Sequence, residues 1–260
     1  MAYSVIAIAN QKGGVGKTTT AINLGAALAM NGHRTILVDL DPQGNASTGL
    51  GIGAEKRQRT VYDLLSGPDT LFDCAIQTDI ANLTIVPATP DLSSADVELS
   101  QVKDRTRLLQ RKLDYTDNDS IVLIDCPPAL GLLTVNAMVA AHSVLVPLQA
   151  EFYALEGLSQ LLSTVKQVRQ NGNPNLRVSG VLLTMSDYRN NLSQQVEADA
   201  RATLGDLVFT TVIPRNVRVS EAPSFAQPVL LYDPASKGSA AYRQFAAEFA
   251  ARLKLVKEEA

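Results

Sequence analysis

The chain has 260 residues, 46% of them hydrophobic, and a net charge of −3. That length suffices for one large α/β domain or two small ones, at roughly 100–200 residues per domain, and the charge leaves no basis for nucleic-acid binding through a generally basic surface. Two cysteines, Cys74 and Cys126, stand far apart in no metal-like spacing. They offer no disulfide framework, and Cys126 reads as a small buried hydrophobe in preference to a redox group.

The amino terminus runs straight into an apolar stretch, with no basic leader or cleavage site, and no apolar run reaches the ~18–20 residues of a membrane span. The expectation is a cytoplasmic protein. Without a linker, repeat or low-complexity run, residues 1–260 read as a single domain. In chain order, the strand-like runs are residues 5–9, 35–40, 83–86, 121–125, 144–148, 178–183 and 208–213. Helical stretches cover residues 18–31, 93–113, 132–141, 155–170, 192–204 and 239–255. Several strands are apolar almost throughout, which suits parallel strands covered on both faces. The alternation predicts an α/β fold, a mostly parallel twisted sheet of about seven or eight strands with helices on both faces. Ligands of such folds sit at the carboxyl ends of the strands, and the loops there hold unusual chemistry.

The first of these loops, Asn10-Gln11-Lys12-Gly13-Gly14-Val15-Gly16-Lys17-Thr18-Thr19, joins a strand to a helix. Its glycines free the backbone so that successive N–H groups can face phosphate oxygens, and the helix start adds its dipole. Lys17 is placed to neutralise the β- and γ-phosphates and the Thr18 hydroxyl to ligate Mg²⁺, which makes this a P-loop NTPase pattern. The pattern departs from the standard one: Gln11 takes the place of the first glycine, and a second lysine, Lys12, follows it. Lys12 reads either as a solvated loop charge or as a further phosphate ligand, and spacing alone does not choose.

Asp39 and Asp41 end the second strand, before a Pro42-Gln43-Gly44 turn. Carboxylates beside a phosphate site suggest Mg²⁺ coordination through water or placement of an attacking water, against the plainer reading of a turn that caps a strand. Asp125 closes the run Ile121-Val122-Leu123-Ile124, the arrangement that delivers one carboxylate towards Mg²⁺ through water. The following Pro127, Pro128 and Gly131 give a stiff loop with a pivot, suited to sensing the γ-phosphate. An Asn-Lys-x-Asp signature for guanine does not follow the strand ending near Thr184, which favours ATP over GTP.

The run KGGVGKTT resembles the deviant Walker A motif of the ParA/MinD superfamily. The likeness continues through VDLDPQGNAS at 38–47, LIDCPPALG at 123–131, PLQAEFYALEGL at 147–158 and IPRNVRVSEAPS at 213–224. Together these look like ParA/Soj-type partition ATPases, chromosomal or plasmid. The resemblance implies ATP and Mg²⁺, bound at residues 12–19, and a sandwich homodimer in which Lys12 reaches the partner's phosphates. It implies that Asp41 positions the hydrolytic water, that Asp39 supports the metal region, and that Pro214 and Asn216 lie against the adenine, where the plainer reading is a loop with a proline stop. Gln149 and Glu151 fall near the dimer interface and ribose. Arg189 matches a position used for non-specific DNA contact, and Arg218 is a second candidate; for either, the plainer reading is a solvated charge. A ParB/Spo0J-type centromere-binding partner would stimulate hydrolysis, and the protein would be associated with the nucleoid.

Two rivals belong to other classes. A MinD-like division-site ATPase would bind membrane through an amphipathic tail. Here Tyr242, Phe245, Phe249, Leu253 and Val256 form a helical stripe, but the chain finishes Lys257-Glu258-Glu259-Ala260, and such a stripe more often docks a last helix on the core. An ATP-dependent metabolic enzyme on the same loop would need a second substrate pocket.

Overall fold

The computed structural model describes residues 4–114, 119–151 and 154–254. Apolar strands dominate its centre: β1 (Ser4–Ile8), β2 (Arg34–Asp39), β4 (Leu83–Val86), β5 (Ser120–Asp125), β6 (Ser143–Gln149) and β7 (Arg177–Thr184) are mutually parallel. A two-residue β3 (Ile76–Gln77) pairs antiparallel with β4 and closes one edge. The sheet order is β3-β4-β2-β5-β1-β6-β7. Side chains alternate between faces along each strand, so Val5 and Ala7 enter one core with Val122 and Ile124, while Ile6 and Ile8 enter the other with Leu123 and Leu145. Helices cover both faces, which is why these strands are apolar at nearly every position instead of alternating.

The chain leaves β1 to one side for β2 and later crosses to its other side for β6. The carboxyl end of β1 therefore lies at a topological switch point, where a crevice opens between diverging connections. The loop of residues 9–16 fills that crevice and leads into the helix Lys17–Met30.

Two predicted elements need correction. Residues 208–213 do not form a strand. Phe209 N–H donates to Val181 O and Ile213 N–H to Leu183 O, each at 2.9 Å. A four-residue step thus faces a two-residue step of β7, so no regular ladder can run between them, and only isolated bridges at Val208 and Pro214 remain. Residues 93–113 are not one helix but short turns with helices at Ala95–Glu98 and Leu108–Leu113. Leu92, Ala95 and Leu99 are buried, as are Leu109 and Leu113, but the polar stretch between has nothing to bury; there Asp104 turns left-handed at φ 58°.

The last helix, Lys237–Arg252, is capped by Ser236, whose Oγ accepts from Ser239 N–H at 3.1 Å. Its Tyr242, Phe245 and Phe249 are buried, and the Phe245 ring meets Phe209 edge-on at 5.0 Å. The Arg252 guanidinium lies over the Phe209 ring, 3.9 Å from its centre. The stripe docks on the core, each ring contributing roughly 1.5–3 kcal/mol by burial; Leu253 is half-buried, and Val256 lies outside the described residues. Among the described residues no helix is long and apolar enough to cross a membrane.

Candidate functional site

The crevice loop is held at both ends. Asn10 Nδ2 donates to Pro147 O at 2.7 Å and its Oδ1 accepts from Lys12 N–H at 3.0 Å, which anchors the loop's start to β6. Thr184 Oγ1 donates to Val15 O at 2.9 Å and fixes the crest to the end of β7. Gly14 and Gly16 adopt φ of 76° and 86°, where a side chain is strained. Gly16 begins the Lys17–Met30 helix without a side-chain cap, so its first N–H groups are left for an anion.

The two lysines of this loop point to different places. Lys17 is buried, and its Nζ donates to Lys12 O at 3.1 Å. Burial lowers its pKa, while Asp125, Cys126 and Asp41 act to raise it. Lys12 is partly exposed, and its ammonium pairs with Glu151, two residues past the end of β6. Gln149 ends β6 opposite Thr184. Thr18 and Thr19 are half-buried, and Gly13 has open space around it.

Asp39 and Asp125 end adjacent strands and face each other in register, both fully buried. Asp39 is engaged by its own turn: Oδ2 accepts from Ser47 N–H at 2.8 Å and from Ser47 Oγ at 2.6 Å, and Oδ1 accepts from Asp41 N–H at 3.3 Å. Burial pushes its carboxyl up to about 6 against the pull of those bonds. For Asp125, neither oxygen accepts a hydrogen bond of good geometry among the described residues. Burial and then Asp39 raise its pKa well above the usual carboxylate range, while the neighbouring Thr18 hydroxyl and Lys17 pull it down. Two buried, unmet acceptors beside Thr18 fit a hydrated Mg²⁺, since a bound divalent cation and its waters would satisfy both. Asp41 is half-buried in the next turn, where its Oδ1 accepts from Gln43 N–H at 3.0 Å.

A hollow of about 310 Å³ opens beside the loop, lined by Gly16, Thr19, Met185, Pro214, Asn216 and Tyr242 among others. Asn216 Oδ1 caps the following short helix by accepting from Arg218 N–H at 2.9 Å. Pro214 and Arg215 also border a second hollow of about 570 Å³ with Tyr188, Arg189 and Lys237. The Arg189 side chain is 91% exposed and pairs with Asp187 at 3.1 Å. Arg218 is not brought to that hollow; it pairs with Glu221 at 3.0 Å and Asp233 at 3.3 Å. Sequence reasoning missed Asn10, Ser47, Thr184 and Met185. Only the position of Thr184-Met185 just past an apolar strand could have signalled one of them.

A phosphate-shaped turn at the switch point of a parallel sheet, with one lysine inside it and a strand-end carboxylate behind, defines the class: a P-loop nucleoside triphosphatase. A family model described as an AAA domain matches residues 3–178. The chromosome partitioning protein ParA of Caulobacter vibrioides is 56% identical over 251 residues, covering 95% of this chain and 94% of that protein. The sporulation initiation inhibitor protein Soj of Bacillus subtilis is 51% identical over 248 residues, covering 95% and 98%. Among solved structures, a cobyrinic acid a,c-diamide synthase from Mycobacterium smegmatis with bound ADP and magnesium is 40% identical, with a TM-score of 0.85 over 97% of this chain and 96% of that one. The cell division ATPase MinD of Pyrococcus furiosus is 26% identical, with a TM-score of 0.80 over 97% and 99%. The chain belongs to the ParA/Soj family of chromosome-partitioning ATPases, and it is an ATPase that uses ATP and Mg²⁺.

Proposed function

We propose that this chain, one ATPase domain over residues 1–260, is an ATP-dependent switch for DNA segregation in the cytoplasm, associated with the nucleoid. The backbone of residues 12–19 cradles the phosphates, through Gly13, Gly14, Val15, Gly16 and Thr19, and Lys17 neutralises them. Thr18 ligates Mg²⁺, with Asp125 and, behind it, Asp39 acting through water. When bound, the metal would supply positive charge that offsets the phosphate charge developing during hydrolysis. Asp41 positions the attacking water, and Pro214 and Asn216 receive the adenine.

In this reading Lys12 leaves Glu151 in the ATP-bound homodimer and reaches the partner's phosphates. The dimer binds DNA non-specifically through Arg189 and Arg218, and two copies add through effective concentration despite the negative net charge. A ParB/Spo0J-type partner stimulates hydrolysis and so releases the DNA. The observation that carries the proposal is the shared wall: Pro214 and Arg215 border both the hollow beside the P-loop and the one that holds Arg189. A nucleotide at the first can thereby bias the surface at the second.

The test is steady-state ATP turnover with and without DNA and a ParB-type protein, beside small carboxylic acids. Stimulation by DNA and the protein together supports the switch. Stimulation by a small acid alone would point to an amide-forming enzyme, the class to which the synthase from Mycobacterium smegmatis belongs by name.

A further inference from the structure

Behind the turn that carries Asp41 stands an arginine outside the nucleotide site. Arg57 follows the short turn Ala54–Lys56 and is half-buried. Its Nε and Nη2 donate to Ile52 O at 3.0 and 2.7 Å, Nη1 donates to Ala88 O at 2.9 Å, and Nη2 also donates to Thr48 Oγ1 at 2.8 Å. Thr48 and Ile52 belong to the stretch after β2 and Ala88 lies just past β4, so one planar group ties these two segments together.

From the guanidinium, a bonded path leads to Asp41. Thr48 Oγ1 donates to Gly44 O at 3.0 Å, and Gly44 N–H donates to Asp41 O at 2.9 Å. Gly44 itself is left-handed at φ 62°, and a Cβ there would overlap Arg57 Nη1 and stand 3.0 Å from Ala88 O. Only glycine lets the turn lie directly on the guanidinium. The second path runs through Ala88, whose N–H donates to Ser47 Oγ at 3.2 Å; that hydroxyl donates to Asp39 Oδ2. Arg57 thus supports both acidic residues at the end of β2 while touching neither.

We infer that Arg57 is a positioning residue for ATP hydrolysis, holding the Asp41 turn in place; this rests on the role proposed for Asp41. A clamp that only stabilises the fold would make the same bonds, so the test needs readouts that stability does not move. In the full-length protein, Arg57→Met should lower kcat by about ten- to a hundredfold, the scale of a small misplacement, with KM for ATP and affinity for ADP within about twofold. Arg57→Lys, which keeps the charge and loses the fork, should fall between. In single-turnover experiments on an Asp41→Ala background, Arg57→Met should cost nothing more, because the group it positions is gone.

An Arg57→Met variant with full turnover overturns the inference, and so does an equal loss in wild-type and Asp41→Ala backgrounds. If Arg57→Met does not fold, Arg57→Lys takes its place in the double-variant comparison, where full turnover or an equal loss in both backgrounds again overturns the inference. Should Asp41→Ala itself hydrolyse ATP as wild type does, the reading of Asp41 fails. A slow Asp41→Ala beside a normal Arg57→Met sinks the arginine alone.

Discussion

In this chain the lysine assigned to a partner's phosphates is held at home, and Glu151→Gln should release it. Lys12 pairs with Glu151 across two loops, and the side chains are 44% and 34% exposed. Water screens a pair so open, which puts it at about 0.2–1 kcal/mol. A two-fold dimer gives up one such pair on each chain, so the gain from removing the carboxylate is about 0.4–2 kcal/mol in total. That corresponds to an ATP-bound dimer roughly two- to thirtyfold tighter. Sedimentation equilibrium with a slowly hydrolysed ATP analogue and Mg²⁺ reads this directly, and the difference should shrink as salt rises. Lys12→Ala should lose the dimer under the same conditions. A dimer weakened by Glu151→Gln would mean that the carboxylate contributes to the interface instead of restraining Lys12. Unchanged assembly of Lys12→Ala would refute the cross-subunit role itself.

Three further outcomes follow from the same geometry. Asp125 and Asp39 bind protons more tightly in the folded chain than in the unfolded one, because burial raises both. The nucleotide-free protein should therefore lose stability as pH rises from about 4 towards 8. Asp125→Asn should melt higher than wild type at pH 8, by an amount that shrinks on acidification, while turnover is lost; a lower melting point at pH 8 would contradict this. Gly16→Ala meets no clash, its Cβ standing in ordinary contact 3.7 Å from the nearest Met185 atom, but it must hold φ 86°. Its cost is backbone strain of about 1–2 kcal/mol, to be seen as weaker ATP binding by calorimetry, and unchanged affinity would show that the loop tolerates another conformation. Phe245→Ala empties a fully buried site against Phe209 and should cost about 3–5 kcal/mol in denaturant unfolding; a loss below about 1 kcal/mol would mean that the last helix repacks.

The parallel strands and the phosphate loop were legible because both are written locally. Runs such as Ile121-Val122-Leu123-Ile124, short, rich in β-branched residues and ended by a turn, read as strands buried on two faces, and glycines at 14 and 16 mark the loop's two left-handed positions. What escaped depends on contacts between distant segments. Nothing near Lys12 indicates Glu151, and nothing near Val15 indicates Thr184, 169 positions away. Asp39 and Asp125 look alike as strand-end aspartates, yet Ser47 engages one and leaves the other unmet. The same limit explains the failed strand at 208–213, whose propensity was sound but whose register with β7 was not available to a local reading.

ATP-dependent binding of the full-length protein to a random-sequence DNA duplex tests the proposed switch most directly. Measured with ATP, ADP and no nucleotide at two salt concentrations, binding should occur with ATP only, weaken as salt rises and disappear in Arg189→Ala. Equal binding in all three states, or none in any, would leave an ATPase without the switch proposed for it.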